Sequence, residues 1–232
     1  MLKAILTDVD GTITDPARRI DTGAIEVIRS LVDDGVEVVL ASGNTSCFMD
    51  ALCKTIGTGG SFIAENGGVY RVGYTGTLRL DGDQGVCRTA LETVQAHYRK
   101  KGIELELYNP TYRYTDLAFA RTVPAEEVLQ VLAGQPVQVI DTGFAIHLQS
   151  EGVSKGTALL ALADDLDLSP KDFFAIGDGI NDVQMLQWAG RGVTIANAHP
   201  ATKTAASDVM EEAYGKGFVQ ATKKYRSYFR AM

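Results

Sequence analysis

The chain has 232 residues and a formal net charge of −7, from 22 Lys and Arg against 29 Asp and Glu. This length suits one large α/β domain or a core with a smaller inserted module. The acidic balance argues against a nucleic-acid-binding protein, which needs a basic surface. The lack of any run of about 18 apolar residues argues against a membrane span.

The N-terminus and the cysteines indicate the compartment. Met1 leads directly into an apolar strand, without the basic region and long apolar stretch of a signal peptide. The three cysteines, Cys47, Cys53 and Cys87, are too few and too scattered for a disulfide scaffold or a zinc site. We therefore expect a cytoplasmic protein.

The first part of the chain alternates buried strands with amphipathic helices. Strands are predicted at Lys3–Thr7, Val36–Ala41 and Ser61–Ala64, the last leading into a hairpin through Tyr70. The helices between them are predicted around Ile25–Val32 and over Asn44–Ile56. Strands alternating with helices across short links predict a parallel sheet with right-handed crossovers.

The middle of the chain has a different order. The predicted elements are a helix at 85–100, strands at 103–107 and 112–119, a helix from Pro124 to Ala133, and strands at 137–141 and 144–149. This α-β-β-α-β-β order predicts a separate α+β module over residues 80–151.

The pattern of the first part then resumes. Helices are predicted at 154–165, 182–189 and 218–229, and strands at 173–176 and 193–196. The predicted fold class is therefore α/β. A Rossmann-like parallel-sheet core, formed by residues 1–79 and 152–232, carries the α+β module as an insert.

Acidic residues follow two of the predicted core strands. Asp8 and Asp10 end the first strand, and Asp178 and Asp182 follow the strand at 173–176. Because sites in open parallel sheets form at the carboxyl ends of the strands, we expect these four residues to converge. Neighbouring carboxylates raise one another's pKa, and a hard divalent cation removes the conflict. Mg²⁺ prefers a few carboxylates with water and phosphate oxygens, so it is the expected cofactor.

The spacing of Asp8 and Asp10 suggests two catalytic roles. Residues i and i+2 of a strand lie on the same side, so both carboxylates can face the site. Asp8 can attack a phosphorus atom and form an aspartyl-phosphate. Asp10 can protonate the leaving alcohol and later deprotonate water. Gly11 lets the chain turn directly afterwards.

Two further groups suit a phosphate. Ser42 and Gly43 lie between a strand and a helix N-terminus, where a hydroxyl and free backbone N–H groups bind anions. Lys155 follows Ser154, a predicted N-cap, in the first turn of a core helix. A cation is poorly placed there for the helix dipole, so it is better explained as aimed at a phosphoryl group.

Taken in order, four motifs resemble those of the haloacid dehalogenase-like phosphatases. The motifs are Asp8–Thr12 (DVDGT), Ser42, Lys155 and Gly177–Asp182 (GDGIND). The resemblance covers the whole chain, its insert is similar to the family's α/β cap, and it is strongest to the archaeal phosphoglycolate phosphatases. It implies that Asp8 is the nucleophile and Asp10 the acid/base, and that Ser42 and Lys155 hold the phosphoryl group. Mg²⁺ would be held by Asp8, the Asp10 backbone carbonyl, Asp178 and Asp182, the last directly or through water.

The resemblance implies a small phosphorylated metabolite as substrate, with 2-phosphoglycolate as the leading candidate. The cap is expected to close over the site, and Arg113 is a candidate for binding a substrate carboxylate. Many members of the family have Thr-Gly-Arg where this chain has Ser42-Gly43-Asn44. The substrates of the family's sugar phosphatases are therefore a less safe guide to the substrate of this chain. Open alternatives are a phosphatase of another metabolite such as a sugar phosphate, a phosphomutase, and a non-catalytic binding protein. A homodimer is also left open.

Overall fold

A computed structural model describes residues 1–230, which form two compact units. The larger unit consists of the N-terminal part of the chain, up to Arg79, together with the part from Ser154 onward. The smaller unit is the intervening segment, Leu80–Val153. No helix within the described range is both long enough and apolar enough to cross a lipid bilayer.

The strands and helices are as follows. The strands are β1 Ala4–Asp8, β2 Glu37–Ala41, β3 Phe62–Ala64, β4 Val69–Arg71, β5 Arg79–Leu80, β6 Leu117–Ala120, β7 Val137–Asp141, β8 Ala145–Ser150, β9 Phe173–Ile176, β10 Arg191–Thr194 and β11 Asp208–Val209. The helices are α1 Thr22–Asp33, α2 Ser46–Ile56, α3 Gln84–Arg99, α4 Ala125–Val131, α5 Lys155–Asp165, α6 Val183–Trp188, α7 Pro200–Ala205 and α8 Tyr214–Tyr225.

The eight-stranded sheet places β1 near its centre. Its strand order is β11-β10-β9-β1-β2-β3-β4-β5. From β11 to β3 every pair is parallel, and β3 with β4 forms an antiparallel hairpin. The prediction of an α/β class with a mainly parallel core sheet is confirmed. Because β2 and β9 flank β1, the carboxyl ends of these three strands lie side by side.

Both faces of the central strands are buried, as expected of a parallel sheet covered by helices. Within β1, Ile5 packs into one hydrophobic cluster, and its neighbours Ala4 and Leu6 pack into another. Val38 and Val39 of β2 divide between the same two clusters. This alternation explains why the core strands are continuous apolar runs in the sequence.

Local signals set the ends of the helices that flank the site. Asp21 caps α1 by accepting a hydrogen bond from the backbone N–H of Ala24 at 3.0 Å. Gly57 ends α2 with a left-handed backbone, φ 98°. Ser154 and Thr157 form a capping box at the start of α5, which makes Lys155 the first residue of that helix.

The smaller unit is a three-stranded antiparallel sheet of order β6-β8-β7, and side chains of α3 and α4 share its hydrophobic core. The prediction of a strand at 103–107 is wrong, because that segment pairs with β6 only at the bridge between Leu107 and Phe119. The left-handed Asn109, φ 50°, and a 3₁₀ turn at Pro110–Tyr112 redirect the chain immediately afterwards. The strand predicted at 112–119 therefore starts only at Leu117.

The C-terminal helix also differs from its prediction. It spans Tyr214–Tyr225 rather than 218–229, and a 3₁₀ turn follows at Arg226–Tyr228. Phe229 then pairs in extended form with Leu2, beside β1. Two aromatic side chains of this region pack on Phe174, whose ring centroid lies 5.4 Å from that of Tyr225 and 5.7 Å from that of Phe229. The short elements β5, β11 and α7 were not predicted from the sequence.

The smaller unit contains a buried network of charged and polar side chains. Asp116 accepts a hydrogen bond from Arg113 Nη1 at 2.6 Å, and its other oxygen lies 2.9 Å from His147 Nδ1. All three residues are buried. Burial by itself would raise the pKa of Asp116, but the hydrogen bond from His147 and the charge of Arg113 lower it below its ordinary value. The carboxylate is therefore ionised and balanced by its neighbours.

Asp116→Asn is expected to destabilise the chain by about 3 kcal/mol, because removing one partner of a buried ion pair leaves the other charge poorly compensated. The exposed pair of Arg121 and Asp141 is the matched control, and Asp141→Asn should cost far less. Urea unfolding followed by circular dichroism measures both variants. Equal losses of free energy of unfolding in the two variants would contradict the assignment of Asp116 as the stabilising group.

The pH dependence of this contribution follows from the lowered pKa. The contribution of Asp116 is present above the pKa of an unfolded Asp, about 3.9, and is lost as the pH falls through the lower folded-state value. The stability difference between the parent chain and Asp116→Asn should therefore shrink only in acid.

Candidate active site

The end of β1 lies between the loops that follow β2 and β9. Asp8 pairs in register with Ala41 of β2, and Thr7 pairs with Ile176 of β9. Ser42 and Gly177 directly follow these two neighbouring strands. The motifs that are far apart in sequence therefore start from adjacent strand ends.

Three carboxylates converge at this edge. Asp8, Asp178 and Asp182 each offer an oxygen, and these oxygens all lie within 4.8 Å of one another. Asp8 and Asp182 are buried. Asp178 is held by Thr12 Oγ1, which donates to its Oδ1 at 2.8 Å, and by Asn197 Nδ2, which donates to its Oδ2 at 3.2 Å. The cluster is thus fixed by its surroundings.

Asp182 is bonded through both of its oxygens. Its Oδ2 accepts the backbone N–H groups of Asp178 and Gly179, at 2.9 and 2.8 Å. Its Oδ1 accepts from Lys155 Nζ at 2.6 Å. Asp182 therefore shapes the loop after β9 and anchors the lysine.

Lys155 connects the two halves of the cluster. Its side chain has no exposure to solvent, and Nζ lies 2.5 Å from Asp8 Oδ1 as well as 2.6 Å from Asp182. Burial alone would lower the pKa of Lys155, but the carboxylates of Asp182 and Asp8 raise it above its ordinary value. The lysine is therefore a permanent cation. It uses two of its three N–H donors here and retains the third.

The cluster holds more negative than positive charge. Burial raises the pKa of Asp8 well above its ordinary value, the charges of Asp182 and Asp178 add to this, and Lys155 opposes it. Burial, together with the charge of Asp182, raises the pKa of Asp178 to about 6. Three carboxylates face one ammonium group, so the site attracts a further cation.

One atom in the cluster shows where such a cation fits. Asp8 Oδ2 is buried and has no hydrogen-bond partner within the described chain. A buried carboxylate oxygen without a partner is costly unless a cation or a reacting atom meets it. The nearby oxygens of Asp178 and Asp182 complete a set of hard donors suited to a divalent ion.

Asp10 belongs to a second group, facing the loop after β2. Its Oδ2 accepts from Asn44 Nδ2 at 2.9 Å and lies 3.5 Å from Ser42 Oγ. Its Oδ1 lies 3.4 Å from Nε of Arg18, a half-exposed side chain. Gly43 lies between Ser42 and Asn44, in the loop that leads to α2. The structure thus brings together Asp10, Ser42 and Gly43 beside the acidic cluster.

A turn at Glu65–Gly67 supports this edge, although the sequence analysis gave it no role. All three residues have positive φ, at 49°, 53° and 111°. The N–H of Glu65 donates to the carbonyl of Asn44 at 2.9 Å, and the N–H of Asn66 donates to that of Ser42 at 3.1 Å. Such backbone conformations are costly outside glycine, so surrounding contacts must hold them.

The same turn also touches the other two motif regions. A Cβ atom at Gly67 would lie 2.1 Å from the carbonyl oxygen of Ser154, directly before Lys155. Asn66 Oδ1 accepts from Asn181 Nδ2, in the loop after β9, at 2.9 Å. The asparagine and paired glycines of Glu65–Gly68 (ENGG) were the signal that could have revealed it.

Several supporting residues were not predicted from the sequence, and the candidate Arg113 is bonded within its own unit. Thr12 and Asn197 hold Asp178, but Asn197 has no local signal because its contact depends on the fold. Arg113 lies in the smaller unit, buried and bonded to Asp116 and to the carbonyl of Tyr108. Its guanidinium is thus part of the buried network described above.

Comparison with known proteins agrees with this geometry. A sequence profile of haloacid dehalogenase-like hydrolases matches residues 5–114 and 126–221. The chain is 58% identical over 230 residues to a phosphoglycolate phosphatase of Methanoculleus marisnigri, covering 98% of both proteins. It is 38% identical to a phosphoglycolate phosphatase of Archaeoglobus fulgidus, covering 94% of this chain and 95% of that protein.

Solved structures show the same fold. Thermoplasma acidophilum 0175 matches with a TM-score of 0.84 and 28% identity, over 97% of this chain and 99% of that one. A haloacid dehalogenase-like hydrolase from B. subtilis matches with a TM-score of 0.78 at 18% identity, over the same shares of the two chains. The family inferred from the four ordered motifs is confirmed, and the chain is an enzyme that belongs to the haloacid dehalogenase-like hydrolases.

Proposed function

We propose that the protein is a Mg²⁺-dependent phosphatase that hydrolyses 2-phosphoglycolate to glycolate and phosphate through an aspartyl-phosphate. The observation that carries the proposal is the buried Asp8 carboxylate, with Lys155 on one oxygen and no partner on the other within the described residues. The substrate is suggested by full-length relatives that bear the name phosphoglycolate phosphatase. The substrate therefore rests on similarity and the chemistry on the site.

In the first step the Asp8 carboxylate attacks the phosphorus atom of the ester. The bond between phosphorus and the glycolate oxygen breaks, and Asp10 gives its proton to that oxygen. Glycolate leaves, and the phosphoryl group is bonded to Asp8. The spacing of the two residues supports this division, because Asp10 is turned toward the Ser42 loop while Asp8 is held in the cluster.

In the second step water replaces Asp8 on phosphorus. The Asp10 carboxylate takes a proton from the water molecule, whose oxygen bonds to phosphorus. The acyl-phosphate bond breaks and returns the Asp8 carboxylate. Phosphate leaves, and Asp10 retains the proton that it donates in the next cycle.

The transferred phosphoryl group needs positive charge and hydrogen-bond donors around it. The third N–H of Lys155 is available for a phosphoryl oxygen, and the raised pKa keeps this side chain charged. The Ser42 hydroxyl provides a further donor in the loop before the N-terminus of α2. These groups act together, since a general acid alone supplies roughly 10²–10⁴ in rate.

The residues that would hold Mg²⁺ are Asp8, the Asp10 backbone carbonyl and Asp178, with Asp182 directly or through water. The fit rests on the unpartnered Asp8 Oδ2 and on the 4.8 Å grouping of the carboxylate oxygens. When bound, the ion neutralises the charge of the carboxylates and of the phosphate. Asp182 is the carboxylate least able to turn toward it, because its oxygens accept from two backbone N–H groups and from the Lys155 ammonium group.

Asp8→Asn removes the anionic nucleophile at nearly constant size. Turnover of p-nitrophenyl phosphate in the presence of Mg²⁺ is expected to fall by at least about three decades, on the scale of nucleophile deletions. Circular dichroism should show an unchanged fold, because an amide can still accept from Lys155. Activity within tenfold of the parent would refute Asp8 as the nucleophile.

Mg²⁺ is expected to stabilise the folded chain as well as to activate it. A ligand that binds only the folded state adds about 2.7 kcal/mol at a hundred times its Kd, so Tm should rise with Mg²⁺ concentration. In Asp178→Asn this rise should be largely lost, because a charged ligand is replaced by an amide. Asp33→Asn, an exposed residue of α1, makes the same charge change and should retain the rise. An equal rise in both variants would place the ion elsewhere.

The substrate is tested by a turnover screen over phosphorylated metabolites of two to six carbons. 2-Phosphoglycolate is expected to give the highest kcat/KM, by at least about tenfold over sugar phosphates. Release of phosphate distinguishes hydrolysis from isomerisation of a sugar phosphate. A higher kcat/KM for another ester would support the phosphatase activity but assign it a different substrate.

A further inference from the structure

Asn44 contacts both Asp10 and Ser42, the proposed acid/base and a proposed phosphoryl-binding residue. It is the third residue after β2, and its side-chain amide is 2.9 Å from Asp10 Oδ2 and 3.0 Å from Ser42 Oγ. A carboxylate only accepts hydrogen bonds when ionised, so the NH₂ end of the amide must face Asp10. The orientation of this asparagine follows from the chemistry of its neighbour.

The same contacts determine what the Ser42 hydroxyl can do. Its oxygen accepts from the backbone N–H of Asn44 at 3.1 Å as well as from the side-chain amide. A hydroxyl oxygen has two lone pairs, and these two donors occupy both. The Ser42 O–H can therefore act only as a donor, and its nearest acceptor here, Asp10 Oδ2, lies at the long distance of 3.5 Å.

Asn44 is itself held firmly in place. Its carbonyl oxygen accepts the N–H of Glu65 at 2.9 Å, from the positive-φ turn that also supports Ser42. The other side chain near Asp10, Arg18, is half exposed and lies 3.4 Å from Oδ1. Asn44 thus makes the shorter and better supported contact to the Asp10 carboxylate.

We propose that Asn44 is a positioning residue for the phosphoryl-transfer reaction. It holds the Asp10 carboxyl group through Oδ2, so that Oδ1 is the oxygen from which the proton passes to the leaving alcohol. It also directs the Ser42 hydroxyl to donate toward a phosphoryl oxygen. This inference rests on the proposed function, because it assigns a task to Asp10 and Ser42 within that reaction.

The two parts of this role have different kinetic signatures. Loss of the Ser42 orientation weakens binding of the phosphoryl group and lowers kcat/KM for every phosphate ester alike. Loss of the Asp10 orientation matters only where the leaving oxygen needs a proton, so its effect grows with the basicity of the leaving group. If Asn44 had only a structural role, its loss would lower kcat/KM by the same factor for all esters.

The experiment compares phenyl phosphate, a poor leaving group, with 2,4-dinitrophenyl phosphate, which departs without a proton. Values of kcat/KM at saturating Mg²⁺ report formation of the aspartyl-phosphate. For Asn44→Ala we expect about a three- to tenfold loss with the dinitrophenyl ester, and a loss at least tenfold larger with phenyl phosphate. Thr55→Ala, an exposed residue near the end of α2, is the matched truncation and should change neither.

Two further variants sharpen the result. Asp10→Asn should show the same preference for the better leaving group, and adding Asn44→Ala to it should give little further selective loss, because the group being positioned is already gone. Asn44→Asp keeps the size but replaces the donor by a carboxylate that repels Asp10, and should reproduce the selective loss. It also serves if Asn44→Ala fails to fold.

The outcomes distinguish the positioning role of Asn44 from the proposed phosphatase activity. Losses for the two esters that agree within about threefold, in a folded Asn44 variant, would overturn the positioning role. A parent chain that hydrolyses neither ester with Mg²⁺ would count against the proposed phosphatase activity instead. Selective loss in Asn44→Ala and Asn44→Asp, absent from Thr55→Ala, supports the inference.

Discussion

The site depends on a buried cation held between two acids. The buried Lys155 Nζ contacts both Asp8 and Asp182, and Asp8 is separated from the other two residues by most of the chain. Ion pairs withdrawn from water repay their desolvation only when their geometry is good and their remaining groups are satisfied. Asp182 meets this condition through two backbone N–H groups, whereas Asp8 retains an unpartnered oxygen. The unpartnered oxygen thus belongs to the proposed nucleophile.

The pKa values of buried carboxyl groups shift in opposite directions in the two units. In the smaller unit, Asp116 is bonded to Arg113 and His147, and its pKa lies below its ordinary value despite burial. In the larger unit, burial raises the pKa of Asp8 and of Asp178, and the charge of Asp182 adds to both shifts. The first arrangement is complete in itself and stabilising. The second groups three carboxylates around one ammonium group, and such perturbed groups are typical of functional sites.

A strained backbone turn supports the same edge. The turn at Glu65–Gly67 bonds to the carbonyls of Ser42 and Asn44, contacts the start of α5 and meets Asn181 beyond β9. Strained conformations persist only where surrounding contacts determine them. Here those contacts come from three separate loops. The turn therefore fixes the relative positions of groups that the proposed reaction requires to act together.

The sequence by itself determined the architecture of the core and the residue types of the site. Continuous apolar strands such as Ala4–Leu6 and polar glycine-containing segments after them predict a parallel sheet with chemistry at its carboxyl edge. Strand alternation did not predict the relation of Asp8 to Asp10, because β1 ends at Asp8 and Asp10 lies in the turn that follows. The prediction of a strand at 103–107 was wrong because the local sequence does not show how far a segment pairs with a neighbouring strand.

Only the tertiary structure decided which groups touch. The bridge from Lys155 to Asp182, the amide of Asn44 on Asp10 and the contact of Asn197 with Asp178 join residues whose separation in sequence carries no signal. Whether a charged side chain is balanced or left with an open oxygen depends on distances of a few ångströms between different elements. Those distances arise when the strands assemble side by side, and hydrogen bonds are lost when they are exceeded.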